Sequence, residues 1–456
     1  MLRIQNPATE EIIAELETDT GESIAQKYEA ARVAQWEWAQ RPLEERIDCL
    51  KRFNSLLQGR APELAAVMTS ETGKPIRQSA GEIAAVGARI EFFSANVAAG
   101  LASETVSSGE SGGMIERISY EPLGVVGNIS AWNYPYFVGV NVFAPALLTG
   151  NAVLYKPSEF ATLTGISIGE LLWEAGVPRD VFALLIGGGE VGQGLLEQPL
   201  GGMYFTGSHR TGTRIAQAAS SRLMRVQLEL GGKDPAYVAD DVDLEAVAAG
   251  LADGAFYNAG QSCCSVERIY VHERVYDSFV ELFVRIVEEF QMGDPVNPDT
   301  YIGPLTRAPQ IQVLEGQIAD AIQKGARLVA GGRAVDRPGF YFEPTVLVDV
   351  DHSMELMVEE SFGPIIGIQK VADDREALTR MNDSRYGLTA SVFTTDQGRA
   401  ESMLAHVQAG SAYWNCCDRV SPRLPWTGWK DSGVGSTLGM EGIRAFVQPK
   451  GWHLRS

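Results

Sequence analysis

Residues 125–156, VVGNISAWNYPYFVGVNVFAPALLTGNAVLYK, decide the fold of this 456-residue chain. Two apolar runs, at 125–130 and 152–155, have the length of buried strands, and a helical pattern at 136–149 separates them. The same alternation continues, with strands predicted at 181–186 and 203–206 and helices at 162–175, 190–198 and 210–220. Strands that alternate with helices are typical of a parallel, doubly wound sheet. The sequence therefore predicts an α/β protein.

Three further regions flank this stretch. Helices are predicted before it at 24–38, 43–58 and 62–71. A second α/β region, residues 235–430, has a helix at 276–290 and six predicted strands: 236–238, 268–271, 327–330, 365–370, 389–393 and 410–414. Residues 107–121 and 437–456 alternate polar and apolar side chains and belong to neither core. We predict that these two segments are strands that pair between subunits.

Composition argues against several classes of function. The net charge of −20 disfavours a nucleic-acid-binding protein, because such proteins neutralise phosphates with Lys and Arg. No apolar run reaches the roughly 20 residues of a membrane span, and the start of the chain lacks the pattern of a signal peptide. Five cysteines, four of them in two adjacent pairs, make a poor disulfide framework. We therefore expect a cytoplasmic protein with no nucleic-acid partner, no membrane partner and no metal site.

Two glycine-containing turns are candidates for dinucleotide binding. Residues 187–192, GGGEVG, fit the GxGxxG pattern after a strand and before a helix. The acidic residue expected about 20 positions later is missing, so an ordinary turn explains the pattern equally well. Gly207 and Ser208 follow the strand at 203–206 and precede a helix. Free N–H groups at such a helix start bind phosphate, although Ser208 is also an ordinary N-cap.

Two carboxylate-containing turns are candidates for ribose binding. Lys156 and Glu159 lie at the C-terminal end of a strand, where open α/β sheets bind ligands. Their spacing would let them hold two ribose hydroxyls, but spacing alone favours a surface turn. Glu360 stands beside the aromatic Phe362, so this pair could bind a ribose and pack on a flat ring.

Three residues are candidates for catalysis. Cys263, in the turn NAGQSCC at 258–264, could be a nucleophile, because a turn exposes the sulfur and supplies N–H groups. Free cysteines are also common as small buried apolar residues. Glu229 precedes two glycines and is a candidate general base. Asn133, in the WNYP motif, carries a neutral amide donor suited to an oxyanion hole.

Taken together and in this order, these motifs resemble the aldehyde dehydrogenase superfamily. The resemblance runs from Asn6-Pro7-Ala8-Thr9 to PWTGWKDSG at 425–433. It implies the family fold: a Rossmann-like cofactor domain, an α/β catalytic domain and a β oligomerisation arm. We expect the NAD-binding domain at 1–106 and 122–231, the catalytic domain at 232–436, and the arm at 107–121 and 437–456.

The resemblance also assigns roles to the candidate residues. Cys263 becomes the nucleophile, Glu229 the general base, and Asn133 the oxyanion donor together with the Cys263 backbone N–H. The implied cofactor is NAD, with NADP also allowed, and seven residues are expected to contact it: Lys156, Glu159, Gly207, Ser208, Trp132, Glu360 and Phe362. Lys156 and Glu159 would hold the adenosine ribose, and Gly207 and Ser208 the pyrophosphate. Glu360 would hold the nicotinamide ribose, and residues 187–192 become a neighbouring turn.

The implied reaction oxidises an aldehyde to the carboxylic acid. Cys263 forms a thiohemiacetal, hydride passes to the nicotinamide, and water activated by Glu229 hydrolyses the resulting thioester. A CoA-acylating enzyme is an alternative, but such members typically lack the Glu that activates water. A non-catalytic protein on the same fold is a second alternative, against which the joint presence of Cys263, Glu229 and Asn133 argues.

Two positions depart from the family pattern. Val142 stands where many members carry a Lys, and Thr437 where they carry a Glu. Both partners of a proton relay from the general base are therefore absent together. Proton release from Glu229 must use another route in this chain.

The resemblance implies which residues form the substrate tunnel: Tyr134, Phe137, Val138, Asn141, Tyr257, Val420 and Trp426. Asn141 occupies the place where succinic-semialdehyde members carry an Arg, which argues against an acidic aldehyde. Tyr134, Tyr257 and Trp426 resemble the aromatic cation site of betaine and aminoaldehyde members. An amino or quaternary-ammonium aldehyde is one expectation, and an aliphatic or aromatic aldehyde is the other.

Cofactor choice and assembly are expected to follow the family as well. Glu159 favours NAD⁺, because a carboxylate accepts from a free 2′-hydroxyl and repels a 2′-phosphate. Lys156 would tolerate NADP⁺. The arm segments predict a homodimer or a homotetramer.

Overall fold

The computed structural model describes residues 1–107 and 113–455. A hairpin of β1 (Leu2–Gln5) and β2 (Ile12–Leu16) opens the chain. Four helices follow: α1 (Gly21–Gln40), α2 (Leu43–Gly59), α3 (Ala61–Thr72) and α4 (Ile76–Leu101). The first three confirm the helices predicted for this region. Two antiparallel strands come next, β3 (Glu104–Ser107) and β4 (Met114–Pro122).

A six-stranded sheet is built mainly from residues 125–229. In chain order its elements are β5 (Val125–Ile129), α5 (Pro135–Leu148), β6 (Ala152–Lys156), α6 (Thr162–Glu174), β7 (Phe182–Leu184), α7 (Gly189–Leu196), β8 (Gly202–Thr206), α8 (His209–Ser220) and β9 (Arg225–Glu229). The five strands are parallel in the order β9-β8-β5-β6-β7, which confirms the predicted parallel sheet. The sequence did not predict β9, because Arg225 and Gln227 interrupt its apolar run.

A seven-stranded sheet is built from residues 234–414. In chain order this region contains β10 (Asp234–Val238), α9 (Leu244–Phe256), β11 (Val266–His272), α10 (Tyr276–Glu288), α11 (Pro309–Gln323), β12 (Arg327–Ala330), β13 (Thr345–Val348), α12 (Glu355–Val358), β14 (Ile365–Val371), α13 (Asp374–Asn382), β15 (Tyr386–Gly387), β16 (Thr389–Phe393), α14 (Gln397–Leu404) and β17 (Ser411–Trp414). All of its strands except β15 belong to the sheet. The order is β12-β13-β14-β11-β10-β16-β17, and only β12 and β13 are antiparallel neighbours. All six predicted strands are present in the sheet, and β13 is a seventh strand that was not predicted.

The last elements connect the two sheets and the arm. They are β18 (Trp429–Lys430), β19 (Gly433–Val434), α15 (Gly439–Arg444) and β20 (Val447–Arg455). β18 pairs with β15, β19 adds an antiparallel edge to β9, and β20 pairs with β4 in a three-stranded sheet that also contains β3. The strands predicted in the arm segments are confirmed at β4 and β20. Residues 108–112 and 456 of those segments lie outside the described residues.

The strand prediction was wrong at residues 439–444, which form α15. Ile443 and Phe446 are fully buried in the first core. A Cβ built on Gly100 of α4 would lie 2.8 Å from the Ile443 side chain, so the two helices touch at a glycine. This tertiary contact outweighs the local polar–apolar alternation, because propensity is a weak preference.

The centre of the first core is α5 with its neighbouring strands. α5 is apolar on nearly all sides, and Val140, Phe143 and Leu147 are fully buried. Such a helix belongs inside a protein. At 14 residues α5 is shorter than a bilayer span, and within 1–107 and 113–455 no helix is both long and apolar enough to cross a membrane.

Candidate active site

A cavity of about 800 Å³ lies where the two α/β regions meet. Thr206 at the end of β8, Glu229 at the end of β9 and Cys263 in the loop before β11 all line this cavity. Open α/β sheets bind ligands at the carboxyl ends of their strands. The residues predicted to form the substrate tunnel line the same cavity: Tyr134, Phe137, Val138, Asn141, Tyr257, Val420 and Trp426.

The loop that carries Cys263 has an unusual backbone. Asn258, Ala259 and Gly260 have φ values of 55°, 54° and 68°. Non-glycine residues in this left-handed region cost on the order of 1 kcal/mol each, so surrounding contacts must hold them. At Gly260 a side chain is excluded, because a Cβ would lie 2.3 Å from the carbonyl oxygen of Gly363.

Asn258 makes the contacts that hold this loop. Its backbone N–H donates to Gln78 Oε1 at 3.0 Å. Its side-chain Nδ2 donates to two carbonyl oxygens, that of Asn133 at 3.3 Å and that of Gln261 at 3.1 Å. Asn258 therefore ties the loop of the candidate nucleophile to the loop of the candidate oxyanion donor. This role of Asn258 could not be predicted from the NAGQSCC motif, because its partners Gln78 and Asn133 lie far away in the sequence.

The two adjacent cysteines of this loop have different environments. Cys263 is partly exposed in the cavity, whereas Cys264 is 4% exposed. The Cys264 thiol donates to Asp418 Oδ1 at 2.9 Å, and the Ser262 hydroxyl donates to the same oxygen at 3.3 Å. The neighbouring Cys263 thiol, burial and the Asp418 carboxylate raise the pKa of Cys264 well above its usual range. Cys264 therefore stays a thiol, and Cys263 is left as the candidate nucleophile.

The Glu229 carboxyl group is buried and only partly hydrogen-bonded. Its Oε1 accepts from Gln227 Nε2 at 3.1 Å and from the Thr437 hydroxyl at 3.3 Å. Its Oε2 has no hydrogen-bond partner within the described chain. Burial raises the pKa of Glu229 to about 8, against the opposing effect of these two donors. Gln227 was not among the predicted site residues, although residues i and i+2 of a strand share one face.

Asn133 lies two positions before the first residue of α5 and is 4% exposed. Its side-chain amide forms no hydrogen bond among the residues described, and it is not one of the residues that line the cavity. Glu82 Oε1 caps α5 by accepting from the N–H groups of Tyr136 and Phe137 at 2.9 Å and 3.2 Å. Glu82 Oε2 accepts from Lys74 Nζ at 2.5 Å. This buried ion pair fixes the start of α5 and the WNYP loop with it.

Four of the predicted cofactor residues lie at the carboxyl ends of β6 and β8. Lys156 ends β6 and is 3% exposed, and its Nζ lies 3.9 Å from Glu159 Oε2. Burial lowers the pKa of Lys156. Gly207 and Ser208 follow β8, and the Ser208 hydroxyl oxygen accepts from the Thr211 N–H as the N-cap of α8. The first-turn N–H groups of a helix are free to bind an anion such as a phosphate.

Gly187 and Gly188 lie in the loop between β7 and α7, and residues 189–192 form the first turn of α7. A Cβ built on Gly192 would lie 3.8 Å from Lys156 Cδ, so this turn neighbours the β6 end. α8 begins directly after Gly207 and Ser208, at the carboxyl end of β8, and β8 is the neighbour of β5 in the sheet.

The other three predicted cofactor residues are Trp132, Glu360 and Phe362, and two of them are in contact. The rings of Trp132 and Phe362 pack edge to face, with 5.4 Å between their centroids. Glu360 Oε1 accepts from the Gly232 N–H at 3.2 Å, and burial raises the pKa of Glu360 to about 8. A Cβ on Gly231 would lie 2.0 Å from Glu360 Oε1. A glycine at position 231 therefore leaves room for the Glu360 carboxyl group. A carboxylate near the aromatic rings of Trp132 and Phe362 is suited to bind a ribose and a nicotinamide.

Glu267 positions the segment that contains Glu360, and sequence analysis did not find it. Its Oε2 accepts from Lys233 Nζ at 2.6 Å and from the Ser361 N–H at 2.8 Å. Its Oε1 accepts from the Phe362 N–H at 3.1 Å. Because all three bonds are to a buried carboxylate, they hold this segment in one conformation.

Comparison with known proteins identifies the family. A model described as the aldehyde dehydrogenase family matches residues 1–451. Lactaldehyde dehydrogenase of Escherichia coli is 35% identical over 99% of this chain and 95% of its own length. A betaine aldehyde dehydrogenase of Cereibacter sphaeroides is 37% identical over 97% of this chain and 92% of its own length.

Solved structures agree with the sequence relatives. The crystal structure of Escherichia coli lactaldehyde dehydrogenase superposes with a TM-score of 0.96 at 35% identity, covering 100% of this chain and 95% of that one. A Staphylococcus aureus betaine aldehyde dehydrogenase in complex with NAD⁺ gives 0.96 at 31% identity, covering 99% and 91%. This chain therefore belongs to the aldehyde dehydrogenase family and is an NAD(P)-dependent aldehyde dehydrogenase.

Proposed function

We propose that this enzyme oxidises its aldehyde to the free carboxylic acid through a thioester on Cys263. One observation carries the proposal: Glu229, a buried carboxyl whose Oε2 has no partner among the described residues, lines the same cavity as Cys263. A carboxylate so placed is suited to take a proton from water. The enzyme is therefore hydrolytic and not CoA-acylating.

The Cys263 thiolate attacks the aldehyde carbon, and the carbonyl oxygen becomes an oxyanion. The Asn133 amide and the Cys263 backbone N–H donate to this oxyanion. Asn258, by bonding both loops, sets the separation between these donors and the sulfur. Preset donors lower the barrier more than flexible ones, because they need no reorganisation during the reaction.

Residues of both sheets would hold the cofactor. Lys156 and Glu159 bind the adenosine ribose, and Gly207 and Ser208 the pyrophosphate. Trp132, Glu360 and Phe362 surround the nicotinamide end. When bound, NAD⁺ supplies the hydride acceptor that converts the thiohemiacetal to a thioester. The Glu159 carboxylate favours NAD⁺ over NADP⁺, because it repels a 2′-phosphate.

Glu229 then completes the reaction. Gln227 and Thr437 hold Oε1, so Oε2 is the oxygen that accepts the proton from water. The hydroxide that forms attacks the thioester carbon, and the acid leaves as Cys263 is released. Thr437 stands where the family pattern has a Glu, and its hydroxyl donates to Oε1 of Glu229, which leaves Oε2 to face the water.

The product distinguishes the two enzyme types. With aldehyde and NAD⁺, we expect one free carboxylate for each reduced cofactor. Added CoA should neither speed turnover nor yield acyl-CoA, because Glu229 delivers water to the thioester. Chromatography of the products with and without CoA measures this. Acyl-CoA as the main product would overturn the hydrolytic proposal.

A cationic aldehyde is one candidate substrate. The carboxylates of Asp253 and Asp418 line the cavity and would attract a cation, and relatives named betaine aldehyde dehydrogenases are 37% identical. Against this, the chain's own Lys74 Nζ lies 3.8 Å from the centroid of the Tyr134 ring. A ring face binds one cation at a time, so the face of Tyr134 that Lys74 occupies is closed to a cationic substrate. Tyr257 and Trp426 would then have to bind the substrate cation.

We also infer a homodimer or homotetramer assembled through the sheet β3-β4-β20. In this sheet Val106, Ile115 and Leu454 are exposed apolar side chains. The free edges of β3 and β20 offer unpaired backbone groups, which another copy of the chain could pair. Light scattering that gave the mass of a single chain would contradict this inference. The five unpaired thiols fit the reducing cytoplasm as its compartment.

A further inference from the structure

Arg89 is a buried arginine in the wall of the catalytic cavity. It lies on α4 and is 4% exposed. Its guanidinium carbon lies 3.6 Å from the centroid of the Phe137 ring, and its Nε donates to Asn141 Oδ1 at 3.0 Å. Both partners are on α5. The guanidinium group is therefore fixed by two residues of the substrate tunnel.

The charge of Arg89 is not paired within the described chain. Among residues 1–107 and 113–455 no carboxylate lies within ion-pair distance of it, and its two terminal nitrogens have no hydrogen-bond partner. Glu82, a carboxylate whose charge acts on Arg89, is already bonded to Lys74 and to the start of α5. An unpaired buried cation is costly, so a ligand that supplies an anion would bind it strongly.

Asn141 adds a third hydrogen-bond donor beside the two terminal nitrogens of Arg89. Because the Nε–H group of Arg89 can only donate, Asn141 must present its amide oxygen to it. Its amide nitrogen is then free, and it forms no hydrogen bond among the residues described. The terminal nitrogens of a guanidinium form a planar fork that matches the two oxygens of a carboxylate. Arg89 and Asn141 together form a site for a carboxylate.

Two acidic residues that line the cavity, Asp418 and Asp253, would disfavour a carboxylate ligand if their charges were free. Asp418 Oδ1 already accepts from Cys264 and Ser262, and burial raises the pKa of Asp418 above its usual range. Asp253 is exposed, so solvent screens it, and it accepts from the Tyr301 hydroxyl. Among the described residues the cavity wall has two cationic side chains, Arg89 and Arg419, and of these only Arg89 is buried.

We propose that Arg89, with Asn141, recognises a carboxylate on the far end of the substrate, so that the enzyme oxidises oxo acids to dicarboxylates. This inference rests on the proposed function, since the aldehyde of the same molecule must reach Cys263. Position 141 by itself favours a neutral or cationic aldehyde, because it carries no arginine. In the structure the arginine beside Asn141 is Arg89, which lies on α4, whereas Asn141 lies on α5.

The test is a panel of three aldehydes of equal length: the oxo acid, its primary amide and the trimethylammonium analogue. With wild type we expect kcat/KM for the acid to exceed that for the amide about 10- to 100-fold, the range of hydrogen bonds to a charged group. In Arg89→Met, whose side chain retains the packing on Phe137, we expect the acid-to-amide ratio to fall to about 1. A wild-type preference for the trimethylammonium aldehyde, or an unchanged ratio in Arg89→Met, would overturn the proposal.

A matched control removes the same charge elsewhere in the cavity. Arg419 also lines the cavity but is exposed. We expect Arg419→Met to change the acid-to-amide ratio by no more than about threefold, because solvent screens an exposed charge. A loss of the ratio as large as in Arg89→Met would show that only net charge matters and would overturn the assignment to Arg89.

A binding measurement on wild type covers the case in which Arg89→Met does not fold. A saturated dicarboxylate of the product's length should slow alkylation of Cys263 by iodoacetamide, and the corresponding diamide should not. Equal protection by the two compounds would overturn the proposal. Turnover of the amide aldehyde tests the proposed function separately, because that substrate lacks the carboxylate but still needs Cys263 and Glu229.

Discussion

Replacing Cys263 with Ala is expected to lower aldehyde oxidation by about 10⁴-fold or more, because the reaction then has no nucleophile. NAD⁺ binding should persist, since the residues proposed to hold the cofactor lie on β6, β8 and the Glu360 segment. The measurements are the rate of reduced-cofactor formation and NAD⁺ affinity by calorimetry. Turnover near the wild-type rate would show that the covalent mechanism is wrong.

A second cysteine of the same cavity is the matched control for Cys263. Cys416 lines the cavity and is partly exposed, and burial raises the pKa of its thiol. Cys416→Ala should retain activity within about fivefold, because a thiol kept protonated is a poor nucleophile. If Cys416→Ala lost activity and Cys263→Ala did not, the nucleophile would be Cys416.

Replacing Glu229 with Gln should separate the two halves of the reaction. The first turnover should form about one reduced cofactor per active site, because Cys263 and Asn133 are intact. Steady turnover should then fall about 10²- to 10⁴-fold, since an amide cannot take a proton from water. Stopped-flow absorbance measures the burst, and mass spectrometry of the intact protein should detect the acyl group on Cys263. Steady turnover at the wild-type rate would identify a different base.

The pH dependence of hydrolysis checks the same residue in the wild-type enzyme. Glu229 acts in its deprotonated form, and burial raises its pKa to about 8. The rate of hydrolysis should therefore rise as the pH increases through about 8 and level off above it. In Thr437→Val the rise should move to higher pH, because a hydrogen bond that favours the carboxylate is lost. In Glu229→Gln the rise should be absent.

Local patterns in the sequence sufficed for much of the fold and for the motifs of the site. Strand and helix alternation over 125–220 predicted the parallel sheet, because buried strands and amphipathic helices have different periods of apolar residues. The turn NAGQSCC predicted Cys263, since a glycine beside a cysteine in a turn is a pattern that the local sequence shows directly. The sequence could not predict α15, because burial of Ile443 and Phe446 against α4 decides that segment.

Only the tertiary structure decided which side chains contact the residues of these motifs. Thr437 contacts Glu229 across 208 positions of sequence, and Asp418 contacts Cys264 across 154. Arg89 contacts Asn141 across 52 positions, because α4 packs on α5. Such contacts depend on how whole elements pack, which apolar periodicity does not encode. The sequence by itself therefore determined the reaction class, whereas packing placed Arg89 beside Asn141 and with it the substrate class proposed here.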